Sequence, residues 1–285
     1  MSGALRMFRA EAVRMAGSHA AWFGALILAI IPFLRVWAAT LAAQAKALER
    51  VAAGASPLGL SDGTGWALLV DGWRSGLMLG TALVLVQAAR SLAGDRETGI
   101  LRLAVTRSVS RNGAIVGRAL IGPLLVLGVV AVSGLSAFLA AKFLGGDFGD
   151  LIEDDYTIFS AGEVGDELAR SLVVVTLGLT AVHAFGLLVS GFARGPVLAL
   201  AGSLSTLLVW DVFKSDVGEL RWYVFASHAP TFADGSAMRE MSGFSRGMSD
   251  AGLPQAIHNM GLFLSPIEAI AMVALTCLLM RRRAI

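Results

Sequence analysis

The 285 residues are 56% hydrophobic and only 15% charged, with a mean hydropathy of +0.71 and a net charge of +2. Soluble domains carry about a quarter charged residues, so the bilayer is the solvent of this chain and no separate soluble domain fits beside its spans. The apolar runs are continuous rather than alternating, which selects spanning helices over a barrel, and the lone Cys277 excludes an internal disulfide.

In chain order, residues 3–17 set Arg6, Arg9 and Arg14 beside Leu5, Phe8, Ala12 and Met15 at helical spacing. That pattern predicts an amphipathic helix lying in the membrane interface. The first span follows at 20–41 and contains Arg35. Its basic lead and the Ala43-Gln44-Ala45 triplet imitate a secretory signal, but the lead is too long and the triplet lies too far beyond the apolar core. Further spans are expected at 66–89, 114–141, 172–192, 196–212 and 262–280, each near the roughly 20 residues needed to cross a bilayer. Gly72, Gly76 and Gly80 form two overlapping GxxxG steps in span two and predict a close helix contact. In the same span Asp71 and Arg74 stand three apart, where they can pair on one helix face.

Orientation follows from the arginines. Positions 90, 96, 102, 107, 111 and 118 between spans two and three, and 281, 282 and 283 at the carboxyl end, belong in the cytoplasm. The loop from 143 to 168 holds Asp147, Asp150, Glu153, Asp154, Asp155, Glu163, Asp166 and Glu167 and belongs outside. Six spans then place both termini in the cytoplasm. The basic span edges account for the pI of about 9.0 without any nucleic-acid partner. The segment 213–261 is external and carries Trp222, Tyr223 and Phe225, aromatic residues that predict a short interfacial or re-entrant helix.

The stretch 94–112 carries the most information. Asp95 is expected to cap a short helix with Glu97 in its first turn, while Ile100, Leu101, Ala104 and Val105 form an apolar face beside Arg102 and Arg107. A second element, Val109-Ser110-Arg111, leads to Gly117 and Arg118 at the start of span three. This run, with Glu97-Thr98-Gly99-Ile100-Leu101 at its head, resembles the type-2 ABC exporter permeases, departing from their pattern at Ser108, where proline is frequent, and at Arg118, where lysine is usual. The resemblance implies six spans, a longer external segment between spans five and six, and a cytoplasmic coupling helix that docks on an ATPase subunit. Asp95, Glu97, Gly99, Ile100, Leu101, Arg102, Arg107 and Arg111 would form that contact.

The expected architecture is an all-α polytopic membrane protein, one transmembrane domain over 1–285. No G-x-x-x-x-G-K-[ST] loop is present, so ATP and its Mg are expected on the partner ATPase and no cofactor on this chain. The chain reads as a transporter subunit rather than an enzyme, and as an exporter permease of the bacterial inner membrane moving a hydrophobic or amphipathic substrate. Its expected partners are the ATPase, membrane lipids, and a second permease copy or a paralogue. An alternative is a permease-like protein that passes ATP-driven motion to an external partner, copper-related maturation included, without carrying a substrate. Polar residues inside spans are functional candidates by default, here Arg35, Asp71, Arg74, His183 and Asp211, of which only His183 lies deep. A rhomboid-type protease is excluded because Leu188 stands two before Ser190 and His183 is on the same helix. Met238, Met241, Met248, His258 and Met260 offer soft ligands for copper, but methionines more commonly serve as apolar contacts, and no metal is expected.

Overall fold

The computed structural model describes residues 3–53, 65–100, 110–153, 156–232, 236–248 and 254–282. Its helices are α1 (Gly3–Ala16), α2 (His19–Ala52), α3 (Gly65–Glu97), α4 (Arg111–Ala119), α5 (Ile121–Phe143), α6 (Ala161–Phe192), α7 (Pro196–Phe213), α8 (Ala237–Phe244) and α9 (Gln255–Arg282). Two short strands, β1 (Leu151–Glu153) and β2 (Tyr156–Phe159), pair antiparallel between α5 and α6. Among the described residues, six stretches are long and apolar enough to cross a membrane: α2, α3, α4 with α5, α6, α7 and α9. The chain is an all-α polytopic membrane protein with one added hairpin, which forms where Leu151 is buried and Phe159 stacks on Phe244 at 4.1 Å.

The long spans overrun the bilayer. At 1.5 Å per residue, the 33 residues of α3 reach about 50 Å against a hydrocarbon thickness of about 30 Å. The polar tail of α3 from Arg90 to Glu97 stays helical because Leu92 and Ala93 are fully buried. The helix stops only at Gly99, whose φ of +74° needs a residue without a Cβ, and Thr98 N–H there bonds Gly94 O at 3.0 Å. The expectation that Asp95 caps a new helix is therefore corrected: it lies in the last turn of α3.

Helix α3 is the centre of the bundle, touching α2, α5, α6 and α7, while α6 also packs along α9. Gly72, Gly76 and Gly80 line its contact with α2 and α5. A Cβ on Gly72 would stand 2.5 Å from Val36 Cγ2, one on Gly76 would stand 2.6 Å from Ser133 Cβ and 2.7 Å from Pro32 Cγ, and one on Gly80 would collide with Val129. Helix α1 lies against α4, and Arg281 Nε donates to Asn112 Oδ1 at 3.4 Å, so both termini lie at one end of the bundle, hereafter the terminal end.

At the far end the chain between α7 and α9 folds back into the bundle. It forms two 3-10 turns, Gly218–Tyr223 and Phe225–Ser227, and then α8. Thr81 Oγ1, at the midpoint of α3, donates to Pro230 O at 2.6 Å, and His228 is wholly buried against Gly178 of α6. This segment re-enters level with the middle of α3. Irregular backbone survives at such depth only when buried in protein, and local bonds such as Ser227 N–H to Val224 O at 2.9 Å help to satisfy it. Met238 and Met241 of α8 are 0% and 1% exposed within the apolar core, where their thioethers serve as apolar contacts.

The glycine contacts generate a direct test. We predict that Gly76→Leu forces α3 away from Pro32 and Ser133 at a cost of about 1–3 kcal/mol or more, lowering both membrane yield and the thermal midpoint of the purified protein. A wild-type midpoint in Gly76→Leu would contradict the packing.

Candidate functional site

Three consecutive residues in the last turn of α3 point to three destinations, because each step along a helix turns the side chain by about 100°. Asp95 turns inward to α1 and α4, Arg96 turns to the chain joining α6 and α7, and Glu97 is exposed. The inward branch is a buried charge quartet. Arg118 of α4 is 2% exposed, and it donates through Nε to Glu11 of α1 at 3.0 Å and through Nη2 to Asp95. Arg14 of α1 bonds Asp95 at 3.0 Å and Glu11 at 2.8 Å. Burial lowers the Arg14 pKa, but Coulombic attraction and hydrogen bonds from Glu11 and Asp95 outweigh it and hold the guanidinium above its ordinary value.

The quartet exists because α1 can lie directly on α4. A Cβ on Gly117 would stand 2.7 Å from both Ala4 O and Met7 Cβ, so glycine is what lets the helices touch. Ser110 starts α4 by accepting the Gly113 N–H at 3.0 Å, the usual N-cap bond. The second branch fixes the other side of α3: Arg96 Nη1 donates to Ala193 O at 2.6 Å and Nη2 to Gly191 O at 3.2 Å. Ser190 Oγ also accepts from Ala93 N–H at 2.9 Å. The end of α3 is thereby joined to α1, α4 and α6.

Of the residues expected to contact an ATPase, Asp95 is withdrawn from the surface by burial and by its arginines. Glu97 and Ile100 remain exposed, Gly99 forms the helix stop, and Arg111 opens α4 half-buried. Leu101, Arg102 and Arg107 lie outside the described residues. His183 is buried beside the quartet, against Gly122 of α5. With Glu11, Gln87, Ser91, Arg118 and Ile121 it lines a cavity of about 10 Å³, room for one water.

The other intramembrane polar residues sit elsewhere. Asp71 accepts from Ser242 Oγ at 2.8 Å and pairs with Arg246, tying α3 to the segment around α8. Asp211 meets Lys214 at 2.6 Å and also accepts from Thr231. Arg74 is half-buried, and Arg35 is exposed on α2. Sequence reasoning passed over Glu11, Lys214, Arg246 and Glu268 as candidates. The spacing of three between Asp211 and Lys214, and between Glu11 and Arg14, was a readable signal; the approach of Arg246 to Asp71 across 175 positions was not.

Removing Arg118 leaves two buried carboxylates with only the half-exposed Arg14 between them, and breaking a buried pair typically costs about 3–5 kcal/mol. We predict that Arg118→Met and Asp95→Asn each lower the thermal midpoint strongly, and that the double variant loses less than the sum of the two. Additive losses would show that the pair is not coupled.

Compared with known families, residues 10–281 match the family described as ABC-2 family transporter protein. No curated protein matches the chain. The matched region begins within α1, ends within α9 and contains the whole quartet and all six apolar stretches apart from the last residue of α9. This chain belongs to the ABC-2 family of transporter proteins and is a multi-pass membrane permease of the ABC transporter class.

Proposed function

We propose that this chain is the permease subunit of an ATP-driven exporter, coupled through residues 94–112 to a separate cytoplasmic ATPase subunit. The observation that carries this reading is the exposed Glu97 at the end of α3, one residue after a side chain anchored to α6 and two after one anchored to α1 and α4. A push applied there passes from α3 to α1, α4 and α6 through charged contacts rather than dissipating in a loop. ATP-dependent motion needs such a rigid contact to bias the spans between two arrangements.

The terminal end faces the cytoplasm of the bacterial inner membrane on this reading, because it carries Arg6, Arg9, Arg14, Arg90, Arg111 and Arg281, whereas Asp147, Asp150, Glu163 and Asp166 lie at the far end. Only 17% of the apolar stretch in α2, 22% in α7 and 17% in α9 is buried within one chain. Lipid and a second permease copy or paralogue cover the remainder. A pathway between two such subunits, walled by apolar side chains, fits a hydrophobic or amphipathic substrate moved outward.

Two measurements test the proposal. Glu97→Arg is expected to leave a folded, inserted protein that no longer retains its ATPase on co-purification or stimulates its turnover, since losing one member of a desolvated charged contact costs about 2–5 kcal/mol. Unchanged capture and turnover in both Glu97→Arg and Arg111→Glu would refute the coupling assignment. For orientation, a cysteine at Asp166 in a Cys277→Ser background is expected to react with an impermeant maleimide on intact spheroplasts. Reaction only after permeabilisation would reverse the topology.

A further inference from the structure

Seven buried side-chain polar atoms lack a partner among the described residues, and four of them fall on one line along α9. They are His258 Nδ1, His228 Nδ1, Ser265 Oγ and Glu268 Oε2. Positions 258, 261, 265 and 268 share one helix face. His228 enters this line from the re-entrant segment at Gly261, where a Cβ would stand 3.2 Å from its Nδ1, and its own Cβ lies against Gly178 of α6. Ser171 Oγ, a fifth such atom, lies one turn before Val174, which touches Gly261. Ser171, His228 and Ser265 are all at least nine-tenths buried.

Each step along the line rises about 5 Å, the span of one water bonded at about 2.8 Å to the groups on either side. Buried polar atoms in proteins are satisfied by partners or by ordered water, and the described residues offer these atoms no partner. The line ends at Glu268, a carboxyl in the apolar run of α9 whose neighbours Ile267 and Ile270 are 61% and 70% exposed. Its carboxyl lies beside the Phe225 backbone of the second 3-10 turn, with Oε2 buried and without a partner among the described residues. A permanently charged carboxylate with one free oxygen is costly at this position, whereas a carboxyl reached by water can take up and release a proton.

We propose that Glu268 is a proton-binding site, supplied from the far end of the bundle by a file of water along His258, His228 and Ser265. The step forms an O–H bond on the Glu268 carboxylate and breaks one on the adjacent water, which regains its proton from the file; the net uptake is one H⁺ and no electrons move. The titratable and charged groups on the packed elements are few. Glu219, Arg221 and His228 belong to the re-entrant segment, His258 to α9, and Glu167 and Arg170 pair with each other at the mouth on α6. His183 faces Gly122 instead, and Arg111 and Arg118 of α4 lie at the terminal end of α9, near Arg281. The inference goes beyond the exporter reading and does not depend on an ATPase partner or on which compartment the far end faces.

Infrared difference spectroscopy of the full chain in lipid nanodiscs tests it. A protonated-carboxyl C=O band is expected to rise as pH falls, to shift in D₂O, to vanish in Glu268→Gln and to persist at a displaced frequency in Glu268→Asp. Ser265→Ala, which leaves Glu268 in place, is expected to lose the fast phase of D₂O exchange. A wild-type protein without a titrating band, a band that survives unchanged in Glu268→Gln, or exchange in Ser265→Ala as fast as in wild type would each overturn the proposal.

Discussion

Arg118 is the residue around which the terminal end is organised. A guanidinium 2% exposed cannot stay charged without compensation, and Glu11 and Asp95 provide it from two other helices. Because the pairing desolvates all three groups, α1, the end of α3 and α4 lose much of their freedom to move independently. Arg14 closes the set and makes its net charge zero, two arginines against two carboxylates. The interfacial helix is thereby a fixed part of the bundle.

That constraint explains why the ends of the bundle differ in kind. At the terminal end, charges bind helix ends to one another over short, rigid contacts. At the far end, Asp71 with Arg246, and Asp211 and Lys214 with Thr231, hold an irregular segment onto helices. A segment held by a few polar clasps over an apolar contact with α6 is easier to release than a helix packed along its length. Motion delivered at the rigid end therefore has a natural place to appear at the other.

Much of this was legible in the sequence, for identifiable reasons. The six spans follow from continuous apolar runs, and the contact face of α3 follows from Gly72, Gly76 and Gly80, because both signals are local and periodic. The boundary at Asp95 was misread because Gly94-Asp95 has the composition of a helix start. What keeps α3 helical there is packing of Leu92 and Ala93 and a bond from Ala93 N–H to Ser190 Oγ, 97 positions away. The aromatic cluster at 222–225 marked a membrane-associated segment, but its depth rests on Thr81 meeting Pro230 across 149 positions. Glu268 is a single carboxylate averaged away in the strong apolar run 262–280.

The central claim is that α1, the end of α3 and α4 move as one body when the ATPase partner changes state. Pulsed electron spin resonance between labels at Arg9 and Thr98, both exposed, tests it most directly in the complex with its ATPase, with labelled chains diluted by unlabelled ones. The account predicts the same distance with and without bound ATP, while the distance from Thr98 to a label at Asp166 changes. A change between Arg9 and Thr98 on ATP binding, or no change in either distance, would contradict it.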